Sequence, residues 1–181
     1  MIASAKSGNV SAYEELVRLY QNLAWKTALI ILRHPSDAED AVQTALVKTW
    51  QHLGSFRTGS VFRPWFLRIV ANESKNLRMS RQRSMSRTTE IGEQADLRTS
   101  EPGPEGYLLV AERSAELVSQ INSLPNADRE ILYCRYVLEL TEAEIAEVLE
   151  IARGTVKSRL HRAVGRLRER FDTESDEEVA R

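Results

Sequence analysis

Apolar residues recur at helical spacing through two successive stretches near the start of the chain. Within residues 11–32, and again within 37–52, they stand three, four and seven positions apart, which gives each stretch one apolar face. Pro35 separates the stretches, and the S-x-x-E patterns that begin at Ser11 and Ser36 are typical of capped helix starts. We therefore predict two amphipathic helices, capped by these serines, that pack against each other.

The 37–52 helix has a second face of mixed chemistry. Asp40, Gln43 and Val47 lie three and four residues apart, so a carboxylate, an amide and an apolar side chain stand side by side. A solvated helix surface and a protein-binding surface both fit this pattern. For a surface helix taken alone, the solvated face is the more common explanation.

The next stretch mixes turn residues with aromatic and basic ones. Glycines and serines in residues 54–61 prevent a regular element, and a new helix begins near Phe62 and runs toward Leu77. Arg63 and Arg68 alternate with aromatic rings, and rings that stack beside cations that hold phosphate suit single-stranded or flipped bases. The competing interpretation is that at least two of four residues are ordinary core: Phe62, Trp65, Phe66 and Ile69.

Residues 141–170 form the most compact motif in the chain. Thr141 begins a third capping pattern, and a short helix with an apolar stripe, the turn LEIARG and a longer basic helix follow. This order is typical of a helix-turn-helix. A solvated amphipathic helix would show the same stripe, but a basic outer face directly after an acidic helix favours DNA. The outer face of the second helix carries Lys157, Ser158, His161 and Arg162.

These patterns predict an all-α protein with two small helical domains joined by a flexible linker. The first domain spans residues 1–80. Residues 81–106 are rich in Ser, Thr, Arg, Gly and Pro and have sparse apolar positions, which is typical of a linker. The second domain spans 107–171; in it a helix ends before Pro125, and Asn126 or Asp128 caps the next one. Residues 172–181 form an acidic tail that we expect to be disordered.

The distribution of charge is more informative than its sum. The 181 residues include 25 Lys and Arg against 26 Asp and Glu, and a net charge of −1 is unexpected for a protein that binds DNA by charge alone. The charges are segregated, however. Residues 63–87 and 153–170 are basic, whereas 139–150 and 172–178 are acidic. We infer two contacts with DNA and at least one with protein.

Several classes of function lack the residues they need. The single cysteine, Cys134, excludes a disulfide framework and is best taken as a small core residue. The three histidines have no metal-ligand spacing, and neither a phosphate-cradling glycine loop nor a catalytic triad is visible. We expect no enzyme activity, no metal, no cofactor and no small-molecule substrate. No stretch reads as a signal peptide or membrane span, so we expect a cytoplasmic protein.

Two longer segments resemble one known family. AEDAVQ at residues 38–43, a Trp seven residues later, and FR-x-W-F-L-R-I-V-A-N at 62–72 resemble the second conserved region of bacterial sigma-70 factors. LPNADREILYCRYVLELTEAEIAEVL-x-x-ARGTVKSRLHRA at 124–163 resembles the fourth. We find neither an N-terminal acidic domain nor a third region, and in this respect the sequence resembles the small extracytoplasmic-function (ECF) group.

The resemblance implies an alternative sigma factor that binds core RNA polymerase and promoter DNA and opens the strands. Its partners would be the clamp of the largest subunit, the flap of the second-largest subunit and an anti-sigma factor that could hold it at the membrane. By position it implies core binding by Asp40, Gln43 and Val47. It implies minus-ten contacts by Phe62, Arg63, Trp65, Arg68 and Asn72. It implies minus-thirty-five contacts by Lys157, Ser158, His161 and Arg162, supported by Arg135.

One alternative comes from another class of protein. A dimeric helix-turn-helix regulator that acts without polymerase would account for residues 127–170. It would predict tight binding to DNA by the isolated protein. It would leave the 37–52 helix and the aromatic stretch after it unexplained.

Overall fold

The computed structural model describes residues 1–57, 59–85 and 119–179, and every regular element in these ranges is helical. The all-α prediction is therefore confirmed. None of these helices is long and apolar enough to cross a membrane. The elements are α1 (Ile2–Lys6), α2 (Val10–Leu32), α3 (Pro35–His52), a 3-10 turn (Leu53–Ser55), α4 (Phe62–Met85), α5 (Asn126–Tyr136), α6 (Glu142–Leu149) and α7 (Arg153–Val179).

The chain divides into two compact units. The described residues up to 85, together with 143–151, belong to the first unit, and residues 119–142 and 152–179 belong to the second. The short helix α6 thus groups almost wholly with the first unit, whereas the sequence assigns it to the second domain. The domain limits of the sequence analysis stay a prediction.

The start of α2 differs from the predicted cap. Asn9 stands at the N-cap in an extended conformation, and its side-chain oxygen accepts a hydrogen bond from the backbone N–H of Ala12 at 3.0 Å. This bond satisfies one of the unpaired N–H groups of the first turn. Ser11 lies inside the helix, so its prediction as the cap is wrong. Asn9, two residues before Ser11, supplies the acceptor instead.

Two of the other predicted caps fail for a related reason, which is proline. Pro35 is the first residue of α3, which has no side-chain cap, so Ser36 already lies inside the helix. Proline suits this position because its φ is fixed at a helical value and the N–H that it lacks would be unpaired anyway. Pro125 likewise precedes α5, which has no side-chain cap. The prediction of Asn126 or Asp128 as its cap is therefore wrong.

The core of the first unit lies between α2, α3 and α4, which pack on one another pairwise. Alanines on the inner face of α3 let the other two helices approach closely, and Phe66 and Leu67 of α4 fill the centre. Burying each such large apolar side chain contributes about 1.5–3 kcal/mol. The buried apolar positions include Leu16, Ala24, Ala28, Ile31, Ala38, Ala41, Val42, Ala45, Phe66, Leu67, Val70 and Ala71.

The last turns of α4 hold the corner between α2 and α3. The guanidinium of Arg78 donates to the backbone carbonyl of Ile31 at 3.4 Å. Arg81 forms an ion pair with the buried carboxylate of Asp37, and His34 Nδ1 lies 3.6 Å from the same carboxylate. Part of the basic segment that the sequence assigns to DNA contact therefore stabilises the bundle.

The helix α4 runs to Met85, past the predicted start of the linker at residue 81. The rest of the predicted linker, and the beginning of the helix predicted after it, lie outside the described residues. Residues 119–123 are helical.

At the other end of the chain, α7 runs to Val179. The expectation of a disordered acidic tail is therefore wrong as far as that residue.

In the second unit α5 packs against α7. Ile131 and Leu132 of α5 are buried, and Val156 and Ala163 are buried on α7. Cys134 is also buried, which confirms it as a core residue. Two polar contacts fix the outer turns of α7. Arg166 forms an ion pair with Asp128, and Arg170 donates to the hydroxyl of Ser123.

Candidate nucleic-acid and protein interfaces

The outer face of α3 presents the three residues predicted for protein contact. Asp40 and Gln43 are exposed, and 57% of the surface of Val47 is accessible, although an apolar residue of a helix is more often buried. The opposite face, which includes Ala38 and Ala45, is fully buried. The structure therefore brings the predicted trio together on one accessible surface.

A tyrosine of α2 braces the far end of this surface. The Tyr13 hydroxyl donates to the carbonyl of Leu46 at 2.6 Å, and its ring lies 4.9 Å from the ring of Trp50. Burial raises the pKa of Tyr13 to about 12, against the smaller lowering by the Thr49 side chain and the Trp50 backbone. The hydroxyl therefore stays protonated as a donor near neutral pH. Trp50, one turn after Val47, extends the apolar part of the face, and the spacing of three residues is the signal that could have added it.

The aromatic residues around the start of α4 form one cluster. The ring of Phe62 stacks on Phe66 at 5.7 Å with an interplanar angle of 9°, and Phe56 lies 5.7 Å from Phe62. Trp65 lies 5.0 Å from Phe56 and 5.6 Å from Phe62. Phe62 and Phe66 are buried, which confirms the interpretation of at least two of the aromatic and apolar residues here as core. Trp65 stays partly exposed at the edge of the cluster.

The partly exposed residues of α4 include four of the five predicted for minus-ten contact. Trp65, Arg68 and Asn72 follow one another at spacings of three and four, so they share one face, and Arg63 lies at the start of the helix. Phe62 is 4% exposed and supports Trp65 from beneath, so in this conformation no base can stack on it. The role of all five in DNA contact stays a prediction.

An ion pair changes the charge balance of the same helix. Glu73 is the only acid in α4, and its carboxylate lies 2.7 Å from the ammonium of Lys48 on α3. The pair joins the two helices and compensates the single acid of α4. The partly exposed Arg68 keeps the α4 face basic, which favours an anionic partner.

In the second unit, α7 is divided along its length. Lys157, Ser158, His161 and Arg162 are all exposed, and the buried Val156 and Ala163 lie on the other side of the helix. The Ser158 hydroxyl donates to the carbonyl of Thr155 at 3.2 Å. One turn further on, Arg166 is engaged by Asp128. The first turns of α7 are thus an accessible polar surface, whereas Arg166 and Arg170 have side-chain partners in the second unit.

The turns before this surface are held by backbone conformation and one arginine. Glu150, after the last residue of α6, has a φ of 57°, which costs a non-glycine residue about 1 kcal/mol. The Ile151 N–H donates to the carbonyl of Ala146 at 3.0 Å and closes the helix end. The guanidinium of Arg135 donates to the carbonyl of Leu140 at 3.1 Å, between α5 and α6. The supporting role of Arg135 in DNA contact stays a prediction.

Comparison with known proteins gives matches to both units. A family model of sigma-70 region 2 matches residues 16–84, and one of sigma-70 region 4 matches residues 114–167. The ECF RNA polymerase sigma-E factor of Escherichia coli is 31% identical over 171 residues, covering 90% of this chain and 88% of that protein. The chain belongs to the ECF group of the sigma-70 family.

Further comparisons agree with this family. A probable RNA polymerase sigma factor, RfaY of Xanthomonas campestris, is 32% identical over 179 residues; the match covers 93% of this sigma factor but only 44% of that longer protein. Among solved structures, the sigma factor RpoE in complex with the anti-sigma factor NepR from Bartonella quintana has a TM-score of 0.73 at 24% identity. The match covers 88% of this chain and 96% of that one, and it supports the fold.

The matched regions contain every candidate surface of this sigma factor. The exposed face of α3 and the arginine-bearing face of α4 lie within the region 2 match, and Arg135 and the polar face of α7 lie within the region 4 match. The helix α1 precedes both. In the described ranges no group of three or more His, Cys, Asp or Glu residues is placed to bind a metal ion.

Proposed function

We propose that this sigma factor docks on core RNA polymerase through the outer face of α3, directs it to promoters with two spaced elements, and holds the downstream element open. The observation that carries the proposal is the pairing of two different surfaces on one rigid bundle. An exposed acidic and apolar face on α3 stands beside a basic, aromatic face on α4. A second polar surface on α7 supplies the upstream reader.

The α3 face suits a protein partner better than a nucleic acid. Asp40 would be repelled by phosphate, whereas its carboxylate and the Gln43 amide can pair with basic and polar groups of another protein. Val47 and Trp50 add exposed apolar area of the kind found at the centre of interfaces. We assign this face to the clamp of the largest polymerase subunit, and the second unit to the flap of the second-largest. Docking on core also accounts for a net charge of −1.

The α4 face suits unstacked bases. Trp65 offers a partly exposed ring, held by Phe56 and Phe62, on which a base can stack. Arg68 and Asn72 follow on the same face, where a guanidinium can hold phosphate and an amide can pair with a base edge. Opening is favoured because the single strand is trapped, so the step needs no nucleotide hydrolysis. We infer a transcription factor without catalytic activity of its own.

The α7 face suits the major groove of a duplex. Lys157 and Arg162 can contact phosphate or guanine, and Ser158 and His161 can bond to base edges. All four lie within two turns near the start of the helix, the part that enters the groove in this motif. Arg135 braces the carbonyl of Leu140 and keeps the preceding turn in place.

Regulation by an anti-sigma factor is part of the proposal. The structural neighbour from Bartonella quintana is a sigma factor in complex with an anti-sigma factor. The exposed apolar residues of α3 offer area that a partner can cover, and a protein that occupies them would exclude core polymerase. We place this sigma factor in the cytoplasm, where core polymerase acts, with the anti-sigma factor able to hold it at the membrane.

The proposal is tested by transcription with purified bacterial core polymerase, with and without this protein, over templates with randomised upstream sequences. We expect transcripts only in the presence of the protein, from templates that share two spaced motifs. No stimulation, together with specific binding of the isolated protein to duplex DNA, would instead support a dimeric helix-turn-helix regulator.

The docking surface can be tested separately from DNA. We expect Asp40→Ala and Gln43→Ala each to weaken binding to core polymerase about 10-fold, because a partner group in the interface is left unpaired. Alanine is a strong helix former, so α3 keeps its structure. The measurement is fluorescence anisotropy of labelled protein titrated with core. Glu15→Ala, at an exposed acid of α2, is the matched control and should bind like wild type; wild-type affinity of both test variants would remove the two residues from the interface.

A further inference from the structure

The first helix lies outside both matched regions. The helix α1 spans Ile2–Lys6, whereas the region 2 match begins at residue 16. A tight turn joins it to α2, and Gly8 adopts a φ of 90° there, which side-chain-bearing residues rarely reach. Ala5 is 2% exposed, so α1 packs on the bundle. The turn and this contact together fix the position of the residue that follows Ala5.

That residue is Lys6, and it reaches across the fold. Its ammonium donates to the backbone carbonyl of Phe56 at 2.6 Å, a contact between residues fifty positions apart. Phe56 lies in the α3–α4 loop (residues 53–61, of which 58 is outside the described ranges). The ring of Phe56 is buried and contacts both Phe62 and Trp65. The Lys6 side chain therefore holds the backbone of Phe56, and the ring of Phe56 supports Trp65.

In the described part of the loop, the other backbone hydrogen bonds are local. Local hydrogen bonds run from the Phe56 N–H to the carbonyl of Leu53 and from the Ser60 N–H to that of Arg57, both at 3.1 Å. Bonds of this span make turns but do not anchor a loop to the bundle. An open groove of about 470 Å³ separates the loop from α1, lined by Ile2, Ala3, Lys6, Ser7, Phe56, Gly59 and Ser60. The bond from Lys6 to Phe56 is partly buried and has a charged donor, which makes it stronger than a neutral hydrogen bond.

We propose that Lys6 is a positioning residue for promoter opening, which acts by holding the α3–α4 loop and Trp65 in the conformation that receives an unstacked base. The inference rests on the proposed function of the α4 face. Lys6 does not need to touch DNA in this role. Loss of its hydrogen bond leaves core docking and upstream recognition intact and weakens only the capture of the opened strand.

The test uses the full chain in holoenzyme, on a promoter obtained from the randomised templates. Lys6→Met removes the donors and keeps the aliphatic chain, whereas Lys6→Arg still can donate to the carbonyl of Phe56. We expect Lys6→Met to slow open-complex formation about 5- to 10-fold and to reduce discrimination between bases at the minus-ten element. Lys6→Arg should stay within about twofold of wild type. Lys26→Met, at an exposed lysine of α2, is the matched control.

Two further readouts separate positioning from general destabilisation and from failure of the proposed function. Core affinity and thermal unfolding should be unchanged in Lys6→Met, while hydrogen exchange of residues 53–61 in the free protein speeds up about fivefold. Wild-type opening by Lys6→Met, or a parallel loss of core affinity, would overturn the positioning role. A wild-type protein that opens no promoter would refute the proposed function, and exchange would still decide whether Lys6 holds the loop.

Discussion

Replacement of Phe66 by alanine is expected to lower the free energy of unfolding of the first unit by about 4 kcal/mol, since deletion of a buried aromatic ring costs about 3–5 kcal/mol. Phe66 is 1% exposed, stacks on Phe62 at 5.7 Å and meets the ring of Tyr20 edge-on at 6.1 Å. The free energy of unfolding of a whole domain is about 5–15 kcal/mol. Phe66→Ala therefore leaves about 1–11 kcal/mol, and at the low end of this range unfolded protein without either surface of the bundle becomes populated.

The chain offers a selective readout for this experiment. All three tryptophans, at residues 25, 50 and 65, lie in the first unit, so urea unfolding followed by tryptophan fluorescence reports that unit alone. Leu19→Ala is the control, because Leu19 is 65% exposed and its loss should cost less than about 0.5 kcal/mol. A loss below about 2 kcal/mol for Phe66→Ala would mean that the aromatic cluster is not the centre of the core.

The helices and the outer face of α3 were predictable because both depend on local periodicity. Asp40, Gln43 and Val47 share a face by spacing alone, and the buried alanines opposite them fix which way that face points. The accessible face of α7 follows from the same rule. Helix starts were less predictable, since Asn9 and Pro35 compete with nearby serines and only the relative cost of each cap decides.

The roles of the arginines could not be predicted from the sequence. Arg68, Arg78 and Arg81 lie in one basic stretch and look equivalent, yet Arg78 and Arg81 bond to the α2–α3 corner in the folded bundle. A guanidinium on a long, flexible side chain pairs with whichever acceptor the tertiary fold brings near. The contact between Lys6 and Phe56 is of the same kind, because it joins residues fifty positions apart. Charge segregation indicated an anionic partner, and only the fold shows which charges remain available to it.

The basic residues of α7 are divided in the same way between an exposed face and structural contacts. We therefore expect the second large effect, a loss of DNA binding, from changes on the exposed face of α7. Removal of Lys157 and Arg162 together by alanine is expected to weaken holoenzyme binding to an upstream-element duplex about 100-fold, since each good base or phosphate contact contributes about 1–3 kcal/mol. The slope of log affinity against log salt should fall by about 2, because about 0.9 is lost for each phosphate contact. Anisotropy of a labelled duplex between low and moderate salt measures both quantities.

Arg166→Ala is the control on the same helix, and it removes one positive charge where the double variant removes two. Arg166 is paired with Asp128, so its loss should lower the stability of the second unit while leaving the salt slope near that of wild type. Arg166 is 49% exposed, but the Asp128 side chain is only 8% exposed, so removal of its partner should cost about 1–3 kcal/mol. A fall in slope of about 1 for Arg166→Ala, half that of the double variant, would show that net charge, rather than the exposed face of the first turns, governs binding to DNA. A normal slope in the Lys157 and Arg162 double variant would place the upstream reader elsewhere in the chain.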